Sequence, residues 1–478
     1  MPRRTLIVLT LVVWVALLGR LAFPAPTDDE SVPPLVATGD GNSAGTVAGV
    51  YREGVRIGES ATAIRPIEGG FLLEQKTVLA LRVLGKDARV ESSLAANLGP
   101  DRSVRTIVVD LRSGGTRFDA RGEVRGGEFL YRVDSGGTAR EGRIPLEKPL
   151  YVPGGARAFV ADRLAPGRKF EFSVLDPLVW STDVLAVRVE GEEAAFSGVP
   201  AWRLEETHRG VRTAVWIDAA GRVIAERGPM GLELRVDSGP RAASTDLSIE
   251  PLDIEAATAI AVDGIRAPRT RAELRLRISG IPGAGIPQGG SQQLEAGDVL
   301  VLKRVAPEDA GTYSLPYPGG EFAEQLSRAE LLPVGHPRLE SLVGEILGAE
   351  RDALTAARRL AQWVFEYLEK TPSIGIPEAI AVLDAGRGDC NEHAALFTAL
   401  ARTAGLPAQL VAGLVYVDGR FVYHAWSEVR GASGWLPVDP ALGQVPADAT
   451  HIALVYGDLS AQAALIPIVG RLRLEVVE

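Results

Sequence analysis

The hydrophobic pattern of this chain first changes period near residue 335, and the change divides it. From about Val47 to Val236, apolar residues come in short runs that alternate with polar ones. From about residue 335 they recur every three or four positions. A period of two belongs to strands and a period near 3.6 to helices, so a β-rich region precedes a helix-containing one. Within the first region, Val104–Ile107 and Val124–Val133 carry β-branched or aromatic alternation. Gly-Gly pairs at 114–115, 126–127 and 136–137 punctuate the runs as turns. Thr213–Ile217, Asp218–Gly221 and Arg222–Ala225 spell strand, turn and strand. One short helix is expected before Leu164. No fixed-period repeat is present.

These patterns predict a multidomain chain: an antiparallel β-rich domain over 47–240, a β connector over 241–334, and an α+β domain over 335–478. In the connector, Glu273–Ile278 alternates cleanly, a Gly/Pro/Ser/Gln loop follows to Gln293, and Asp298–Leu302 is a second strand. In the last domain, Leu339, Leu342, Val343 and Ile346 mark one helix, and Leu354, Leu360, Val364 and Leu368 a stronger one. Pro377 opens a third helix. A fourth runs from Asn391 to Ala404, capped by Asp389 and stopped by Gly405 and Pro407. Strands follow at 408–416, 421–429, 435–438, 452–456 and 472–477. Helices first and antiparallel strands after give an α+β arrangement.

Residues 1–26 differ from the rest. Arg3 and Arg4 precede the apolar run Leu6–Leu18, the layout of an export signal or a signal anchor. Phe23-Pro24-Ala25-Pro26 is a poor cleavage site, which favours an uncleaved anchor over a cleaved signal. The basic end would stay in the cytoplasm and the body would lie outside, in the cell envelope. Residues 27–46 read as a tether rich in Asp, Gly, Ser and Pro. The net charge of −10, with both signs mixed along the chain, argues against a nucleic-acid partner.

Cys390 is the only cysteine among 478 residues. Exported cysteines usually pair as disulfides, so a lone one is notable. It follows Gly386-Arg387-Gly388-Asp389 at the start of the fourth helix. A thiol there feels the positive end of the helix dipole, which should lower its pKa toward the reactive thiolate. His424 lies on a later strand and Asp439 at the end of the next. Cysteine, histidine and aspartate are the parts of a thiol acyl-transfer triad. One helix, two strands and two turns fit between them, so the three side chains are expected to meet at the mouth of a groove.

Four motifs resemble the bacterial transglutaminase-like core, part of the papain-like cysteine enzymes. They are Gly388-Asp389-Cys390-x-Glu392, then Leu396-Phe397-x-x-Leu400-x-Arg402-x-x-Gly405-Leu406-Pro407-Ala408, then Tyr423-His424-Ala425-Trp426-x-Glu428, then Trp435-x-x-Val438-Asp439-Pro440. The resemblance spans roughly 350 to 457. It implies that Cys390 is the nucleophile, His424 the general base and acid, and Asp439 the carboxylate that orients the imidazole. It implies attack on an amide or peptide carbonyl through a thioester, with a protein or peptide substrate and no cofactor. Hydrolysis is favoured; cross-linking of amines to glutamine side chains is the alternative, and a non-catalytic scaffold that binds an envelope partner is a third reading. A side-chain oxyanion donor is implied too, with Gln362 and Trp363 as upstream candidates.

Other residues carry blander readings. His393, three positions after Cys390, is a weaker candidate base because nothing nearby on its helix would orient it. Glu392 reads as a structural hydrogen bond or salt bridge, with Arg402 as one partner. Trp426 and Tyr423 read as core or cleft wall. His451 reads as a strand residue of no special role, and His208 and His336 as surface or loop residues. No ligand spacing for a metal is present.

Overall fold

The computed structural model describes residues 45–477 except 84, 114–115, 136–137, 177–180, 196–197, 237–248, 282–284, 330, 372–376 and 458. Two of the expected Gly-Gly turns and the apolar segment Leu6–Leu18 thus lie outside the described residues. Among the described residues no helix is long and apolar enough to cross a membrane. The chain forms two compact units, one ending at Ile254 and the other running from Glu255 to Glu478.

The first unit is built on a 16-stranded sheet. From Thr46–Arg52 to Thr138–Pro145, and again from Lys169–Asp176 to Leu232–Val236, strands follow one another as antiparallel neighbours, because turns of a few residues join them; Leu150–Tyr151 and Leu252–Asp253 pair in parallel. The turn between Thr116–Arg125 and Glu128–Ser135 is Gly126-Gly127, with φ of 60° and 82°. Two successive positive φ values are what a type I′ hairpin needs, and glycine accepts them without strain. The first strand, Thr46–Arg52, is central: Val55–Ile67 pairs on one side and Leu232–Val236 on the other. Alternate residues Leu185, Val187 and Val189 turn inward with Leu204, Val215 and Ile217. The helix Pro153–Ala161 packs Ala156 and Val160 into this cluster. Arg157 on that helix is buried with its guanidinium on both oxygens of Glu206, at 2.7 and 2.8 Å, and 3.0 Å from Glu226.

The second unit contains strands β1 (Glu273–Ser279), β2 (Gln292–Glu295) and β3 (Val299–Lys303), then helices α1 (Pro337–Leu347), α2 (Ala353–Tyr367), α3 (Ala379–Ala385) and α4 (Cys390–Thr403). Strands β4 (Ala408–Val417), β5 (Arg420–Arg430), β6 (Trp435–Val438), β7 (Ile452–Tyr456) and β8 (Arg473–Val476) follow, with shorter elements between. The strands of the expected connector share a sheet with the end of the chain, in the order β2-β3-β1-β8. That pairing places residues from 255 onward in the second unit rather than between two others. His336 caps α1, its Nδ1 accepting the Arg338 N–H at 3.2 Å.

The other sheet carries the site. Its order is Ile260–Ala261, β5, β4, β7, all antiparallel, and β6 also pairs with β5. Gly413 on β4 faces His424 on β5, and a Cβ there would sit 1.8 Å from the Ile452 carbonyl oxygen and 2.9 Å from the Trp426 ring. Only glycine permits this close approach. On its outer edge, β5 pairs with 260–261 at Arg420 and Phe421 and with β6 from Ser427 to Arg430. Among the described residues, no strand covers that edge from Val422 to Trp426.

Candidate active site

Helix α4 starts where its capping chemistry dictates. The Asp389 carboxylate accepts the Asn391 N–H at 2.8 Å, and the Glu392 carboxylate accepts the Asp389 N–H at 2.8 Å. This reciprocal box fixes Cys390 as the first helical residue. Glu392 therefore makes a structural hydrogen bond, but not to Arg402, whose guanidinium bonds the carbonyls of Ala408 and Ser327. The helix is buried along most of its length. Thr398 and Ser427 share a hydroxyl hydrogen bond of 2.9 Å between α4 and β5, and Ser427 also donates to the Ala394 carbonyl.

This packing sets α4 against β5, and the backbone N–H of Ala425, on the uncovered stretch of that strand, is among the groups that act on the Cys390 thiol. The thiol differs from expectation in one respect. Burial pushes its pKa well above the usual thiol value, the Asp389 carboxylate adds to that, and the Ala425 N–H only partly opposes it. The helix dipole acts in the other direction, but an anion in a dry site beside two acidic cap residues loses more solvation than the dipole returns. Cys390, His424 and Asp439 are all 0% exposed, so the site is closed rather than at the mouth of a groove.

His424 and Asp439 are directly bonded, Nε2 to Oδ2 at 2.8 Å. The other Asp439 oxygen accepts the N–H groups of Ala441 and Leu442, each at 2.9 Å. Burial alone would raise this carboxyl, yet His424 and His451 hold it well below the usual carboxylate range. Asp439 is therefore an anion that only accepts. His424 therefore donates through Nε2, and its buried Nδ1 has no hydrogen-bond partner. No hydrogen bond joins it to Cys390.

The pattern of the sequence does not bring His451 here, but the fold does. It precedes β7, with Nε2 at 3.1 Å from the same Asp439 oxygen and Nδ1 at 3.3 Å from Asp448. Burial works against its charge, but bonds to Asp439 and Asp448 raise its pKa to about 9. Asp448 is in turn bound by Thr450 and by Arg269 at 3.0 Å; burial opposes its charge, but His451 and then Thr450 bring its pKa down to about 2. The available signal was Asp448-x-Thr450-His451, an Asx-type turn that holds a carboxylate near the imidazole. Trp426 packs edge-on against His451 at 5.1 Å and stacks on His424 at 6.1 Å.

His393 is also close to the site, but burial lowers its pKa to about 4 and its Nδ1 bonds the Asp389 carbonyl at 2.6 Å. Its Nε2 is buried without a partner, as are both polar atoms of Asn391 and the Trp426 indole N–H. Gln362 is exposed and bonded to Glu366, and Trp363 stacks on Tyr367 with centroids 4.5 Å apart, so neither upstream candidate is drawn to these groups. His424, Asp439 and His451 offer one ligand atom each within 4.8 Å. Both imidazoles already hydrogen-bond one Asp439 oxygen, so we read the group as a bonded relay rather than a metal site.

Residues 340–440 match the transglutaminase-like superfamily. The C-terminal part of this chain is a transglutaminase-like domain. Its helices α2 to α4 and strands β4 to β6 are the α+β core that the four sequence motifs implied. The protein-glutamine gamma-glutamyltransferase of Pseudomonas aeruginosa is 33% identical over 130 residues, which is 23% of this chain and 19% of that protein. The chain thus spans about a fifth of that relative's length. Among solved structures, one described as a candidate cysteine protease from Cytophaga hutchinsonii covers 44% of this chain and 78% of its own, at 15% identity and a TM-score of 0.28. A β-barrel-like protein from Brucella abortus covers 41% of this chain and 95% of its own, at 7% identity and a TM-score of 0.33. The transglutaminase-like domain points to cysteine-dependent chemistry of the protease or acyl-transfer kind.

Proposed function

We propose that this domain is a cysteine enzyme acting on amide or peptide bonds through Cys390, His424 and Asp439. The observation that carries the reading is the state of His424. Its Nε2 is held by an anionic Asp439 and its buried Nδ1 has no hydrogen-bond partner, on the strand residue next to Ala425, whose N–H acts on the thiol. A base held in one tautomer by a carboxylate is what thiol activation requires.

The Cys390 proton passes to His424 Nδ1 as the sulfur bonds the carbonyl carbon. The Cys390 backbone N–H, one of the free donors at a helix start, faces the developing oxyanion. The C–N bond breaks, the leaving amine takes the proton from His424, and a thioester remains. Water then releases the acid and restores the thiol. Because all three side chains are covered, the carbonyl enters only when the covering residues move aside.

Transfer to a second amine is the other fate of the thioester. The activity for which the Pseudomonas relative is named favours it, as does a site that excludes water. We place the domain outside the inner membrane, held by Leu6–Leu18 and acting on protein or peptide in the envelope. Protease treatment of spheroplasts should digest it; full protection would remove that placement.

The test is alkylation of Cys390 by iodoacetamide in the full chain, with and without His424. Labelling should fall at least tenfold in His424→Ala; equal labelling of both overturns the reading. A glutamine donor peptide with a labelled amine then separates the fates: amine incorporation supports transfer, and ammonia release alone supports hydrolysis.

A further inference from the structure

We propose that His451 is a positioning residue for the His424–Asp439 pair: it bonds the same Asp439 oxygen from the far side, holds the carboxylate in line, and sets how readily His424 takes a proton. The inference rests on the proposed roles of Cys390, His424 and Asp439.

The geometry is a chain of alternating charge. Arg269 bonds Asp448 at 3.0 Å, Asp448 faces His451 Nδ1 at 3.3 Å, His451 Nε2 faces Asp439 at 3.1 Å, and Asp439 holds His424 at 2.8 Å. Asp439 and Asp448 flank His451, so both its ring nitrogens act as donors, which only the imidazolium can do. The two imidazole centroids are 6.1 Å apart and both rings are buried. At that distance, away from water, a positive charge on one ring disfavours a proton on the other. His451 therefore satisfies part of the Asp439 charge before His424 is protonated. The two imidazoles share one Asp439 oxygen, so the carboxylate's charge is divided between them.

Other groups face this pair from each packed element. Helix α4 contributes Cys390, His393, Asp389 and Glu392, and Lys370 acts on His393 from the segment after α2. Asp448 and Arg269 stand on the far side of His451. His393 is neutral near pH 7. His451 is thus the cation in direct contact with Asp439.

The experiment compares the pH profile of Cys390 alkylation in the wild-type chain, His451→Gln, His451→Lys and His424→Ala. Glutamine keeps a neutral donor and removes the charge; losing a nearby cation makes both His424 and the thiol hold protons more tightly. The profile of His451→Gln should move to higher pH by roughly one unit, and lysine should move it back. A merely structural role would lower the amplitude without moving the profile. If wild-type labelling does not depend on His424, the proposed function fails. If it does depend on His424 and the His451→Gln profile stays in place, the positioning role alone fails. Where His451→Gln does not fold, nitrogen-15 spectra of the wild-type imidazoles decide: a doubly protonated His451 at pH 7 supports the proposal, and a neutral ring overturns it.

Discussion

His424 Nε2 and Asp439 Oδ2 lie 2.8 Å apart with both side chains sealed from solvent. A bond this buried does more than orient a ring. It makes Asp439 an obligate anion and gives His424 one tautomer. Asp439→Asn keeps the shape but offers an amide that is free to present N–H instead of oxygen. We expect a loss of roughly 10³-fold in Cys390-dependent turnover, together with about 3 kcal/mol of stability, because the buried His451 cation loses one of its two carboxylate partners. Steady-state kinetics with the donor peptide and urea unfolding check both numbers.

Asp389 does two jobs that a single substitution separates. Its side chain caps α4, and its charge is the largest polar contribution keeping the Cys390 thiol protonated. Asparagine caps a helix as well as aspartate does. Asp389→Asn should therefore leave thermal stability within a few tenths of a kcal/mol and lower the thiol pKa, seen as faster iodoacetamide labelling at pH 8. Asp389→Ala should instead lose about 1 kcal/mol from the missing cap. Slower labelling in Asp389→Asn would contradict the assignment.

The elements of the transglutaminase-like domain were legible because their local signals agree with their packing. The Asp389 and Glu392 box marks the start of α4, Gly405 at φ 79° marks its end, and Asp418-Gly419 marks the turn between β4 and β5. Cys390, His424 and Asp439 could be picked out because each stands in a motif. The closure of the site was not legible. The apolar stripe of α4 shows one buried face, whereas the structure buries nearly all of it, and burial is what reverses the expected shift of the thiol. His451 was missed for a related reason. Its partner Asp439 is twelve residues away across a turn, a relationship that strand periodicity does not report.

Glu428 gives a pH signature for the folded core. It sits four residues after His424 on β5, and burial raises its pKa to about 7 while Gln409 partly opposes the shift through a 2.9 Å bond. A folded pKa above the unfolded one means that the folded state holds the proton longer. The stability linked to Glu428 is complete below about pH 4.5 and is lost as pH rises through about 7. Glu428→Gln removes the ionisation and still offers an oxygen to Gln409. The variant should match wild type near pH 4 and exceed it by about 3 kcal/mol at pH 8. Parallel urea titrations at the two pH values read this directly, and a constant difference would contradict it.

Asn391 is the strongest candidate for the side-chain oxyanion donor that Gln362 and Trp363 do not supply. It follows Cys390 on the first turn of α4, and both its amide atoms are buried without a hydrogen-bond partner. A buried, unsatisfied amide costs about 1–3 kcal/mol, so a purely structural role would not retain it. A carboxamide matches a substrate amide, donor to carbonyl oxygen and acceptor to N–H. Asn391→Ala should therefore separate stability from activity. Unfolding should show a chain as stable as wild type or about 1 kcal/mol more so, while turnover of the donor peptide falls by roughly 10²-fold through kcat. His424-dependent alkylation of Cys390 should stay near wild type, since iodoacetamide builds no oxyanion. A variant that loses stability and keeps its kcat would show instead that Asn391 serves the fold, and the donor would have to be sought elsewhere, with the unpartnered Trp426 indole N–H next in line.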